Sequence, residues 1–197
     1  GHGLDAFRAC VACFTSRGLP VAVLAGNHDV WRDEHAHIGS EALWTKHLCE
    51  VTEGLGACWL EDYALRVGDV AVVGSMAWYD YSAVDASAQA TPEQCALAKR
   101  MFNNDAVWID WPWSDRELAS RLADGLISRL ARAARDAAVR AVVVATHVPL
   151  VEAQMVRRPN DARWGFSNAY FGHLTLGARV VAEPKVAAIV SGHTHCA

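Results

Sequence analysis

The feature that most constrains this chain is a set of apolar runs that stop abruptly at polar, imidazole-bearing turns. Val21 to Ala25 runs into Gly26-Asn27-His28-Asp29, Val139 to Ala145 into Thr146-His147-Val148-Pro149, and Val186 to Val190 into Ser191-Gly192-His193-Thr194-His195. A continuous apolar run bounded by turn residues reads as a strand buried on both faces, the kind found in sheets covered by helices. Ligands gather at the carboxyl ends of strands in open α/β sheets, so three such exits can converge although they lie far apart in sequence.

The segments between these runs read as helices. Leu4, Phe7, Ala9, Val11 and Phe14 suit a helix ending near Arg17-Gly18, and a second helical pattern spans Glu41 to Cys49. Val67 to Met76 reads as one more buried strand, ending in the cluster Trp78-Tyr79-Asp80-Tyr81. Thr91-Pro92-Glu93-Gln94 and Ser114-Asp115-Arg116-Glu117 are capping boxes. The first opens a helix to about Phe102, the second a long helix with Leu118, Leu122, Leu126 and Leu130 on one stripe. Gln154 to Leu176 reads as loop. Helix and strand in alternation give an α/β fold, and the absence of repeats or linkers makes residues 1–197 a single domain.

Bulk properties exclude some partners. No apolar run reaches the roughly 18 residues that a spanning helix needs. A net charge of -4 gives no general reason to bind nucleic acid or an anionic membrane, so neither is expected as a partner. Oligomeric state is left open. No signal peptide is visible, which points to the cytoplasm. Six cysteines lack the spacing of a disulfide scaffold, so reduced thiols are expected, and Cys10-Val11-Ala12-Cys13 is read as helix packing in preference to a metal or redox pair.

Imidazole nitrogen and amide oxygen suit divalent transition ions such as Mn, Fe, Zn, Co or Ni, whereas Ca and Mg prefer oxygen throughout. Two such ions about 3.5–4 Å apart form a clamp for the attacking and leaving oxygens of a phosphoryl transfer. Each stretch has a blander reading, since Asn-His-Asp after a strand is also a turn composition. Their joint occurrence favours a site.

The order GNHD, single His, GHTH, each after an apolar strand, resembles the last three motifs of the calcineurin-like metallophosphoesterases, over most of the chain. The resemblance implies the fold of that family, a layered β-sandwich flanked by helices, here incomplete at both termini. It implies two divalent metal ions, with Asn27, His147 and His193 on one and His195 on the other. It also implies that His28, held by Asp29, faces a phosphoester substrate as general acid or charge stabiliser, with a metal-bound hydroxide as nucleophile. The activity would be that of a phosphatase or phosphodiesterase; the alternatives are a nuclease of the same family and a non-catalytic binding module on the same fold. The family's opening motifs, Asp-x-His and Gly-Asp-x-x-Asp, are not found before Gly26, where Asp5 stands alone on a helix. The chain is therefore read as a fragment, inactive or nearly so by itself.

Other residues carry weaker signals. His2, His35, His37, His47 and His173 are read as surface or packing residues, and Trp78 to Tyr81 as a packed corner in preference to a substrate mouth. Arg157 and Arg158 either bind phosphate or are solvated.

Overall fold

A computed structural model describes residues 3–32 and 37–194. In chain order the elements are α1 (Leu4–Thr15), β1 (Ala22–Val23), α2 (Ser40–Ala42), α3 (Leu48–Gly54), β2 (Cys58–Trp59), β3 (Leu65–Val67), β4 (Val70–Ser75), α4 (Pro92–Phe102), α5 (Asp105–Trp108), α6 (Asp115–Arg135), β5 (Ala141–Thr146), α7 (Ala162–Ser167), α8 (Leu174–Val181) and β6 (Val186–Ser191). A wider π turn, Leu43–His47, joins α2 to α3. The fold is mixed α/β with two sheets: β1 pairs with β2 in parallel, and four strands run in the order β3-β4-β5-β6. Within the larger sheet β3 is antiparallel to β4, while β4, β5 and β6 are parallel. Among the described residues no helix is long and apolar enough to cross a membrane.

Both capping boxes form as the sequence predicts. Thr91 Oγ1 accepts the Gln94 N–H at 3.3 Å while Gln94 returns its Oε1 to the Thr91 N–H at 2.8 Å. Ser114 and Glu117 repeat the arrangement at the start of α6. Along α6 the leucine stripe serves two cores. Leu118 and Leu122 pack with Phe7, Val11, Trp59, Trp78 and Tyr170, and Leu126 and Leu130 pack with Val73, Val142, Val144 and Leu176. Each such leucine contributes roughly 1.5–3 kcal/mol by leaving water, so α6 fastens the two halves together.

Behind β4 a buried ion pair fixes the strand's exit. Arg129 of α6 donates to Gly74 O at 2.9 Å and stands 3.5 Å from Glu61. Glu61 also accepts the Ser75 hydroxyl at 2.9 Å and the Met76 N–H. Burial is the main cause that pushes the Glu61 carboxyl above its ordinary range, opposed by the Met76 N–H and Arg129.

Several expectations are corrected. The run from Val67 to Met76 is a hairpin: Val67 pairs with Val70, and Gly68 takes φ 62° in the two-residue turn between them. Ladder pairing in the first strand is limited to Ala22 and Val23. The stretch from Gln154 to Leu176 contains α7 and the start of α8, whose stripe of Leu176 and Val180 is buried against the second core. β6 is partly open: among the described residues it pairs with β5 alone, and Val190 is 57% exposed. Cys10 and Cys13 are exposed, while Phe7 and Val11 are the buried residues of α1, so neither cysteine packs in the core. All five described cysteines are free thiols.

Candidate functional site

Three chain exits meet at one place. After Ala25 the chain enters a single turn, Asn27–Asp29, which Asp29 closes by accepting the Gly26 N–H at 2.8 Å. Asn27 is buried and His28 lies on the exposed side. His147 follows β5 directly, and its ring lies across the Gly26 backbone: a Cβ at position 26 would stand 2.6 Å from His147 Cε1. Only glycine lets the turn and the ring approach this closely. After β6, the Gly192 N–H donates to His147 O at 3.0 Å, and His193 adopts a left-handed φ of 67°. A non-glycine residue in that region is uncommon and marks a constrained position.

The side chains converge as the backbones do. His147 Nε2 is 2.9 Å from Asn27 Oδ1 and 3.0 Å from His193 Nδ1. The far nitrogen of His193, Nε2, lies 3.0 Å from Tyr170 O. A carbonyl accepts only, so Nε2 carries the proton and Nδ1 turns a lone pair toward His147. On the other flank Asp105 Oδ1 accepts Asn27 Nδ2 at 2.8 Å and Trp31 Nε1 at 2.7 Å, and Tyr79 donates its hydroxyl to Asp105 Oδ2 at 3.1 Å. Burial first, and then the charge of Asp105, holds the Tyr79 phenol well above its ordinary pKa, so it remains a donor.

This donor set fits a cation. With Nδ1 of His193 and Oδ1 of Asn27 both presenting lone pairs to His147 Nε2, one ring proton on His147 can satisfy only one of them, whereas a metal ion can accept from all three. The backbone carbonyl behind His193 is the kind of partner that fixes the tautomer of a metal-ligating imidazole. Among the described residues no group of three or more His, Cys, Asp or Glu side chains could hold a metal ion, so the cluster depends on its amide member.

Of the residues singled out from the sequence, Asn27, His147 and His193 are brought together. The His28 ring sits against Trp31, with centroids 4.1 Å apart, and Trp31 stacks on Trp108 at 6.0 Å. His195, like His2 and His35, lies outside the described residues. Trp78, Tyr79 and Tyr81 are buried and form the expected packed corner. His173 is also buried, with Nε2 3.3 Å from Asp80. The Arg157 guanidinium is held by Asp85, Ala83 O and Glu152. Arg158 lies 3.7 Å over the Trp164 ring. Sequence reasoning missed Asp105, Trp31 and the Tyr170 carbonyl. The only local sign of Asp105 is an Asn103-Asn104 helix start, in which Asn103 Oδ1 accepts the Asp105 N–H at 2.7 Å.

An amide and two imidazoles thus meet where three strands of an α/β scaffold end, beside the rings of His28, Trp31 and Trp108. A family profile for calcineurin-like phosphoesterases matches residues 4–197, and the chain belongs to that family. The family as a whole consists of metal-dependent phosphoester hydrolases. Searches of curated proteins and of solved structures returned no match.

Proposed function

We propose that Asn27, His147 and His193 hold one divalent transition metal ion, that His195 belongs to a second, and that the site hydrolyses a phosphomonoester or phosphodiester. The observation that carries this reading is the approach of Asn27 Oδ1, His147 Nε2 and His193 Nδ1 to within 3.0 Å along the cluster. When bound, such ions withdraw charge from phosphoryl oxygens and lower the pKa of water.

The chain's own residues supply the rest. His28 stands on the open side of the Asn27–Asp29 turn, where its imidazole can give a proton to the leaving oxygen or hold charge on the phosphoryl group. Asp29 acts through the turn, because its bond to the Gly26 N–H sets where His28 leaves the backbone. Trp31 backs the His28 ring and limits its rotation. With a net charge of -4, the chain favours a small or protein phosphoester over a nucleic acid.

The second reading is a non-catalytic binding module. It is favoured by the lack of any carboxylate or third imidazole in the cluster among the described residues. The test is Mn²⁺ and Co²⁺ titration of the chain, followed by hydrolysis of an aryl phosphate monoester and diester. The proposal expects metal bound by the chain that His147→Ala abolishes and, in a version extended by its native flanking sequence, turnover that His28→Ala lowers while sparing metal content. Unchanged metal binding by His147→Ala overturns the ligand assignment, and bound metal with neither ester cleaved leaves the binding module in place of the hydrolase.

A further inference from the structure

We infer that Asp105 is the positioning residue of the candidate centre: it fixes the Asn27 amide with its oxygen toward His147 and, through the same oxygen, anchors Trp31 beneath His28. The inference rests on the reading of Asn27 and His147 as metal ligands.

An asparagine amide has a donor end and an acceptor end of nearly the same shape, so its neighbours decide which end faces a site. Asp105 decides it here. Its carboxylate is fully buried and accepts only, so the Nδ2 that lies 2.8 Å away must be the donor end, which leaves Oδ1 for His147. The same Oδ1 of Asp105 takes Trp31 Nε1 at 2.7 Å, and the other oxygen takes Tyr79. One atom thereby ties a candidate ligand to the indole that backs His28.

The charge of Asp105 matters as well as its shape. Its side-chain partners are the neutral donors of Asn27, Trp31 and Tyr79, with no lysine or arginine among them. A buried carboxylate with no lysine or arginine partner among the described residues, one amide away from three converging lone pairs, favours a positive ion at the cluster. Groups in this position typically set metal affinity by about 10–100-fold.

The test combines variants with Co²⁺ titration read by visible absorption, and thermal melts to verify folding. Asp105→Leu is expected to weaken Co²⁺ binding by about 10–100-fold. Asp105→Asn keeps an acceptor for Asn27 and Trp31 but removes the charge, so its Co²⁺ affinity should fall between those of Asp105→Leu and wild type. Asn27→Asp in the Asp105→Leu background should restore binding, since a carboxylate presents oxygen in either orientation; a purely structural role for Asp105 predicts no rescue. A folded Asp105→Leu protein that binds Co²⁺ as tightly as wild type overturns the inference and leaves the ligand reading intact.

A second measurement uses the unmodified chain and holds even if Asp105→Leu does not fold. Nuclear Overhauser contacts should run from the Asn27 side-chain NH₂ to the Trp31 indole N–H. Contacts to the His147 ring instead would show the reverse orientation and overturn the inference directly. Wild-type protein that binds no Co²⁺ removes the ligand reading, and with it any role for Asp105 in positioning a ligand.

Discussion

Asp105 and Asp115 begin successive helices, and both collect the polar tips of aromatic residues, yet their surroundings differ in charge. Asp115 accepts Trp78 Nε1 at 2.7 Å and the Tyr81 hydroxyl at 2.6 Å, and Lys99 neutralises it at 2.6 Å. The Lys99 ammonium also lies 5.7 Å from the Trp78 ring centroid and 5.2 Å from that of Tyr79. Asp105 gathers an indole, a phenol and an amide, and no cation among them. The balanced carboxylate holds the fold together. The unbalanced one faces the cluster where a cation would sit.

The largest expected effect breaks the balanced side. Asp115→Ala leaves the half-buried Lys99 without its partner and removes the acceptor of two buried aromatics, so a loss of about 2–4 kcal/mol should appear in urea unfolding. The next acts on the site's side: Gly26→Ala drives a methyl group into the His147 ring, with roughly 1–3 kcal/mol of strain and a loss of Co²⁺ affinity visible in the same titration.

A finer contrast comes from two matched phenols. Tyr79→Phe and Tyr81→Phe each remove one buried donor, at about 1 kcal/mol in the unfolding free energy. Only Tyr79→Phe, through Asp105, should also alter Co²⁺ binding. Equal effects of both variants on binding would erase the distinction between the two carboxylates.

The smallest effect concerns a third carboxylate, Asp80, which faces the buried His173. Burial is the main cause that holds this imidazole below its ordinary pKa of 6.5, with Arg179 adding to it and Asp80 opposing. Below pH 6.5 the unfolded chain therefore binds more protons than the folded one, and stability should fall on acidification from that point, with the full contribution present above it. His173→Gln should flatten this part of the pH dependence of the urea midpoint and leave Co²⁺ affinity unchanged.

What the sequence disclosed was whatever could be written in a short window. The Thr91–Gln94 and Ser114–Glu117 boxes and the α6 leucine stripe are local patterns, and their structures follow from them. Asn27, His147 and His193 were legible because each stands where an apolar run stops. The hairpin at Gly68-Asp69 was hidden because Val67 and Val70 flank it and read as one continuous run, although its Gly-Asp pair was the available sign. Asp105 had no local sign of its role, because its meaning comes from a partner 78 positions earlier. The exposed Cys10 and Cys13 show the same limit from the other side: an apolar composition does not say which face of a helix is turned inward.

The same separations govern when the site can exist. Asn27 meets Asp105 across 78 positions and His147 across 120, while α6 and its cap need only neighbours. Contacts so distant in sequence form late, after the entropy of closing long loops has been met. A partly folded chain can thus hold most of its helix and no binding cluster at all, and metal uptake followed in real time during refolding should lag behind helix formation.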